Sequence, residues 1–245
     1  MERVDILLVQ AGLFPSRQKA IDAIKQGQVL VNGKKVLKPS EKVSANSKFE
    51  ANTDLLKYVS RGGFKLEGAI RQFGLDLSGT TVLDMGSSTG GFTDCALQHG
   101  AKKVYAVDVG SGQLVDKLKN DKRVISMENT DIRDVSKEII DDCDYIVGDI
   151  SFISIVKILT SINQFIQKQT LVLLIKPQFE CGVEVAKKYK GTIRDYNLSK
   201  KICNETLEKL KALGFRVYAV ADSPIKGGDG NSEFVALLKK EKDIK

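Results

Sequence analysis

The apolar positions of the chain change period after about fifty residues. They first recur as Val4, Leu7 and Leu8, the spacing of one helix face, until Gly12 and Pro15 break the pattern. A second helical stretch follows, with Ser16 as its N-cap and Gly27 as its stop. QVLVNGKKVL then alternates around Asn32-Gly33, the strongest short-range hairpin signal. Residues 1–50 are therefore expected to form a small domain of two helices and a hairpin, and ANTDLLKYVS, residues 51–60, reads as a linker.

From Arg61 onward strand and helix patterns alternate. The strand-like runs are TVLDMG, KVYAVDVG, VISMEN, YIVGDIS, TLVLLIKP, RVYAVADS and FVALLKK. Strands separated by helical stretches predict a mostly parallel sheet of seven strands with helices on both faces, an α/β domain over 61–245. RVYAVADS and FVALLKK are joined by PIKGGDGNSE, too short and glycine-rich for a crossover helix, so the last strand is expected to run antiparallel.

Composition narrows the function classes only slightly. Hydrophobic residues make up 42% and charged residues 28%, as in folded soluble domains rather than disordered chains. Lys and Arg outnumber Asp and Glu by 38 to 31, which leans toward a polyanionic partner. Cys95, Cys143, Cys181 and Cys203 are scattered and accompanied by the single His99, which argues against a metal site and a disulfide framework. No run approaches the roughly 20 apolar residues of a membrane span, and no signal peptide opens the chain, so a cytoplasmic location is expected.

Arg17, Lys19 and Lys25 fall on or beside the second helix, and Lys34, Lys35 and Lys38 on the hairpin. Packed together, these cations would form a face able to track phosphates; the alternative is an ordinary solvated surface. GLFPSRQKAIDAIKQGQVLVNGKKV resembles the RNA-binding domain of ribosomal protein S-four, which favours the first reading. Arg61, at the start of the second domain, joins the cations expected to meet RNA.

TVLDMGSSTGGFTD reads as a strand, a glycine-rich turn and a helix, placing Gly86, Ser87, Ser88, Thr89, Gly90 and Gly91 at a strand's carboxyl end, where open α/β sheets bind ligands. The turn has neither the dinucleotide nor the P-loop glycine pattern. Asp84 before it suits a ligand carrying an ammonium group. Asp108, closing the second strand, suits a ribose diol, and Asp131, after the third, suits an exocyclic amine of adenine. Asp149 closes the fourth. Singly, each aspartate is as well explained as a cap or turn residue. Together they describe S-adenosylmethionine and a Rossmann-like class I methyltransferase fold.

LVLLIKPQFE sets Lys176 at the end of a run that is otherwise apolar. An alcohol that accepts a methyl group must share or lose its proton, and Lys176 arrives at the same sheet edge as Asp84 and Asp149. A lysine of ordinary pKa, near 10.4, is a poor base at neutral pH; a second cation, burial and a sulfonium all act to lower it. Lys65 is the candidate second cation, with Asp149 and Glu233 to orient the pair.

RGGFKLEGA, LDMGSSTGGFTD, GDISF, LLIKPQFE and GNSEF, in this order, resemble the TlyA group of hemolysin-A-like proteins, whose catalytic domain is similar to the FtsJ rRNA 2′-O-methyltransferases. The resemblance implies a Lys65-Asp149-Lys176-Glu233 catalytic set, S-adenosylmethionine at the Gly86–Gly91 turn, and ribosomal RNA in ribosomal subunits as substrate. It also implies methylation of a cytidine ribose 2′-hydroxyl, in the large subunit and with the small subunit left open. Two other classes compete with it. A non-catalytic RNA-binding module would bind the cofactor without turnover. A membrane-lytic protein would need a spanning segment, a barrel repeat or an exposed amphipathic helix, and none is evident.

Overall fold

The computed structural model describes residues 1–14, 16–25, 27–51, 57–227 and 230–240. Chain contacts divide it into two compact units, Met1–Lys57 and Tyr58–Lys245.

In the first unit, β1 (Glu2–Arg3) leads into α1 (Val4–Gln10), and α2 (Arg17–Lys25) follows. Ser16 caps α2: its Oγ accepts the Lys19 amide at 3.3 Å. Strands β2 (Val29–Val31) and β3 (Lys34–Lys35) form the expected hairpin, with Leu30 opposite Lys35 and Val31 opposite Lys34. Asn32 and Gly33 both take positive φ, 51° and 75°, which this turn requires and which side chains other than Asn and Asp resist. β4 (Lys42–Val43) pairs with β1, and β5 (Phe49–Ala51) pairs with β2. Val4, Leu8, Phe14, Ile24, Val29 and Val36 close a core of their own.

Both ends of the expected linker, residues 51–60, have contacts in the structure. Ala51 pairs with Val29 in β5, and Tyr58, 1% exposed, belongs to the core of the second unit. The Tyr58 ring stands edge-on to Phe64 at 5.1 Å, and it leaves no room for a side chain at position 63, where a Cβ would come within 2.3 Å of its ring. Residues 52–56 lie outside the described residues.

The second unit opens with α3 (Gly62–Phe73), then β6 (Thr81–Met85), α4 (Gly91–Gln98), β7 (Lys103–Val107), α5 (Asp116–Lys119) and β8 (Val124–Met127). α6 (Lys137–Asp142), β9 (Tyr145–Gly148), α7 (Ile155–Ile162) and β10 (Thr170–Ile175) continue the alternation. Two short helices, α8 (Pro177–Glu180) and α9 (Gly182–Tyr189), precede the long α10 (Tyr196–Ala212) and the final pair β11 (Phe215–Asp222) and β12 (Phe234–Lys240). The sheet order is β11-β12-β10-β9-β6-β7-β8, with β12 antiparallel to both neighbours and the other pairings parallel, as the strand spacing predicts.

β6 shows why this strand reads as a continuous buried run. Successive side chains point to opposite faces, and Leu83 and Met85 join one apolar layer while Val82 joins the other. Helices cover both layers, so no face of β6 is left for solvent. From β6 the chain moves to β7 and β8 on one side and later to β9 and β10 on the other. The carboxyl ends of β6 and β9 thus border the crevice where such sheets bind ligands.

Candidate active site

β6 delivers Gly86, whose φ of 77° starts a reversal that Ser88 (48°) and Gly90 (98°) complete before α4 begins. The amides of Gly86 and Ser87 both donate to the Val107 carbonyl, at 2.9 and 3.0 Å, holding the turn against the end of β7. The Ser88 amide then donates to Asp108 Oδ2 at 2.8 Å, and the Gly110 amide to Asp108 Oδ1 at 2.7 Å.

A cleft runs along this sheet edge in two joined parts that share Gly86, Ser88, Asp149 and Ser151. One part, about 490 Å³, combines apolar Val109, Ile132, Ile150 and Phe152 with the carboxylates of Asp108 and Asp131. The other, about 310 Å³, is polar; Ser60, Ser87, Thr89, Gly91 and Arg61 line it with Lys65 and Lys176.

Four charged groups meet where the two parts join. Lys65 Nζ lies 3.0 Å from Asp149 Oδ2 and 2.7 Å from Glu233 Oε2, and Lys176 Nζ lies 2.6 Å from Asp149 Oδ1. Lys65 is 8% exposed, Lys176 6% and Glu233 4%. Burial alone would lower the pKa of the Lys65 ammonium, but the Asp149 and Glu233 carboxylates override it and hold the group above the usual lysine value. Burial likewise opposes ionisation of Asp149, and the two lysines reverse that effect and keep its carboxyl below the usual range. Each lysine is fixed by its place in the fold: Lys65 sits in the first turn of α3, and Lys176 directly follows β10 and caps α8, with Pro177 at the first position of that helix. Lys176 also donates to Ser151 Oγ at 2.7 Å and to the Asp149 carbonyl at 3.3 Å.

Not every expected residue lines the cleft. Asp84 is fully buried beneath it, where Thr93 Oγ1 donates to its Oδ2 at 2.6 Å while Oδ1 has no hydrogen-bond partner among the described residues. Burial pushes its carboxyl up to about 7. Gly90 lines neither part; a Cβ there would come within 2.2 Å of Leu118, so packing against α5 demands the glycine. Asp131 borders the apolar part but also caps the turn Ile132–Asp134 and takes the Arg133 guanidinium at 2.9 and 2.5 Å, which holds its carboxyl near 2.

Residues 58–240 match the FtsJ-like methyltransferase family, and residues 2–48 match the S4 domain. The chain belongs to the FtsJ-like methyltransferase family. It is 46% identical to hemolysin A of Brachyspira hyodysenteriae over 96% of this chain and 98% of that protein. It is 37% identical to the 16S/23S rRNA (cytidine-2′-O)-methyltransferase TlyA of Mycobacterium tuberculosis over 98% of this chain and 91% of the relative. A solved structure from Streptococcus thermophilus, described as a hemolysin, superposes with a TM-score of 0.75 at 39% identity, covering 99% of this chain and 91% of the other. Among the described residues, no helix of this FtsJ-like chain is long and apolar enough to cross a membrane, and no group of His, Cys, Asp and Glu is arranged to hold a metal ion.

The S4 domain distributes its cations unequally. Lys25, Lys34, Lys35 and Lys38 are exposed and Lys19 is half-buried. Arg17 is exposed too, but it is paired: its Nε lies 2.8 Å from Asp5, a covered carboxylate that Arg3 also reaches at 3.0 Å. Arg3 and then Arg17 hold the Asp5 carboxyl below its usual range against the effect of burial. Arg61 is exposed at the cleft of the FtsJ-like unit.

Three cleft residues carried no signal in the sequence. Ser60 falls inside the expected linker, Gln113 inside an irregular stretch, and Gly227 inside the glycine-rich connection before β12. Gln113 reaches Ser88 Oγ at 3.2 Å and Asp108 Oδ1 at 3.4 Å, so it closes the ring around the turn. Its own amide is held by Glu128 at 2.6 Å.

Proposed function

We propose that this protein is an S-adenosylmethionine-dependent methyltransferase that modifies the ribose 2′-hydroxyl of a cytidine in ribosomal RNA. The observation that carries the reading is the pair of buried lysines sharing the Asp149 carboxylate at the junction of a polar and an apolar cavity. The similarity of the whole chain to an rRNA (cytidine-2′-O)-methyltransferase supports it.

The donor set fits this cofactor. Asp108 suits a ribose diol, the apolar walls from Val109, Ile132 and Ile150 suit an adenine, and the orphaned Asp84 Oδ1 and Ser87 Oγ suit an ammonium group nearby. When bound, the cofactor supplies a methyl group on a positively charged sulfur. The chain's own part is to hold an oxygen nucleophile and manage its proton. Lys176 has three acceptors around one ammonium: Asp149 Oδ1, the Asp149 carbonyl and Ser151 Oγ. Ser151 is the exposed one, so an entering hydroxyl replaces Ser151 and takes its place beside Lys176. Lys65 is held against Asp149 from the far side by Glu233, which stops that carboxylate from turning away. The exposed lysines of the S4 domain attract the RNA backbone without regard to sequence, and the target nucleotide leaves its stack to reach the cleft.

The test is to map ribose methylation in rRNA from cells with and without the gene, and to assay methyl transfer by the purified protein. One ribose methyl that vanishes with the gene is expected. Cofactor binding with no methyl appearing in any RNA would favour a non-catalytic binding module.

A further inference from the structure

After Lys176 the chain leaves the sheet, runs through α8 and α9, and returns at Ile193. α9 buries none of its side chains, and Val183, Lys187 and Lys188 on it are exposed. An excursion packed so lightly depends on what anchors its return.

The anchor is Asn231, 3% exposed. Its Oδ1 accepts the buried Ile193 amide at 2.7 Å, and its Nδ2 donates to the Gly191 carbonyl at 3.3 Å. On its other side the Asn231 carbonyl accepts the Gly227 amide at 3.0 Å. Gly227 lines the polar cavity, and its Cα is so close to Glu233 that a Cβ would lie 2.6 Å from Oε1. Glu233 follows Asn231 after the single residue Ser232 and pairs with Lys65.

We propose that Asn231 is a positioning residue: by tying the 191–193 return to Gly227, it fixes the Glu233 carboxylate against Lys65. Asn231 lines neither part of the cleft, so it acts through Glu233. The residue type matches the task. A planar amide presents an acceptor to Ile193 and a donor to Gly191 at once; aspartate would turn an oxygen toward the Gly191 carbonyl, and leucine would orphan a buried amide. The geometry stands by itself, and only its consequence for turnover rests on the methyltransferase reading.

Two readouts test it in the full-length protein. Acetylation of Lys65 by acetic anhydride, followed by mass spectrometry, should rise roughly tenfold in Asn231→Ala as the ion pair with Glu233 breaks, while Lys103, paired with Asp142, labels unchanged. Methyl transfer should lose roughly tenfold to a hundredfold in kcat with KM for RNA nearly constant, the mark of a displaced group rather than a missing binding surface. Should Asn231→Ala fail to fold, Asn231→Asp, which keeps the acceptor for Ile193, carries both measurements and should give a smaller change in the same direction. A folded variant with Lys65 labelling and kcat as in wild type overturns the proposal. Wild-type protein that methylates no RNA would remove the functional reading, and the Lys65 labelling would still decide the role of Asn231.

Discussion

Asp149 and Lys176 are joined twice: the Asp149 side chain meets the ammonium at 2.6 Å and its backbone carbonyl accepts from the same nitrogen at 3.3 Å. Asp149→Asn therefore leaves Lys176 tethered but takes from both lysines the charge they share. A buried ammonium without its counter-charge is costly, and Asp149 is partly open to solvent, so the expected loss is about 1–3 kcal/mol in urea unfolding. Methyl transfer should fall by roughly a hundredfold or more. A folded Asp149→Asn protein with wild-type kcat would take Asp149 out of the chemistry.

The charged cluster also sets limits on pH. Asp149 has a depressed folded pKa, so its contribution is present above the ordinary carboxylate value of 3.8 and is lost as pH falls through the lower folded value. Lys65 has a raised one, so its contribution is present below the ordinary lysine value of 10.5 and is lost as pH rises through the higher folded value. The stability advantage of wild type over Asp149→Asn should therefore be full above the ordinary carboxylate value of 3.8 and shrink as pH falls below it, because asparagine has no carboxyl to titrate.

Asp84 works in the opposite sense. Its carboxyl is pushed up to about 7 by burial, so the folded protein holds this proton while the unfolded chain has released it. Its contribution is full below about 4 and is lost as pH rises through 7. Asp84→Asn, which can still accept from Thr93, should be more stable than wild type at pH 8 by a few kcal/mol, with the gap closing by pH 4. If an ammonium group of the cofactor pairs with this carboxylate, binding near neutral pH expels the proton. Calorimetry of S-adenosylmethionine binding in buffers of different ionisation enthalpy should show that release in wild type and none in Asp84→Asn; equal release in both would disconnect Asp84 from the cofactor.

The sheet was legible because its central strands carry their own record of burial: TVLDM and TLVLLI are largely apolar at successive positions, as strands covered on both faces are. Lys176 stood out against that background, and the order of the strands carried it to the edge where Asp149 follows β9. What stayed hidden depends on contacts far apart in the chain. Ser60 reaches the cleft because Tyr58 is drawn into the second core, and nothing in ANTDLLKYVS says which of its residues will be. Gly90 and Gly91 stand side by side in the turn, yet Gly90 packs against Leu118, while Gly91 lines the polar cavity beside Ser60, whose Oγ would lie 2.2 Å from an added Cβ. A glycine records that something comes close without recording what.

Arg17 and the hairpin lysines were expected to act alike and should separate on mutation. Lys34→Ala, Lys35→Ala and Lys38→Ala remove exposed charges, so RNA affinity should drop and its dependence on salt should flatten by about one unit of slope for each phosphate no longer neutralised. Arg17→Ala leaves the covered Asp5 to Arg3 alone and should lower the melting temperature at which the first unit unfolds within the full chain by a few degrees. Equal melting temperatures for Arg17→Ala and Lys34→Ala would mean that the Asp5 pairing is incidental.

Gly227 offers the sharpest mechanical test of Glu233. Its φ is not among the positive values that exclude side chains, so alanine fits the backbone, and the added methyl meets one thing first: Glu233 Oε1, at 2.6 Å. That distance is below any tolerated carbon–oxygen contact, so the Glu233 carboxylate must shift from the position in which its Oε2 pairs with Lys65. Gly227→Ala should fold, bind S-adenosylmethionine within about twofold of wild type, and lose roughly tenfold to a hundredfold in kcat. Glu233→Asp shortens the side chain by one methylene and should also lose activity alone, because its carboxylate no longer spans the gap to Lys65. In the double variant the shorter acid no longer meets the new methyl, so the two losses should not add. A double-mutant cycle with a coupling of at least about 1 kcal/mol is expected. Strict additivity would mean that position 227 acts on something other than the Glu233 carboxylate.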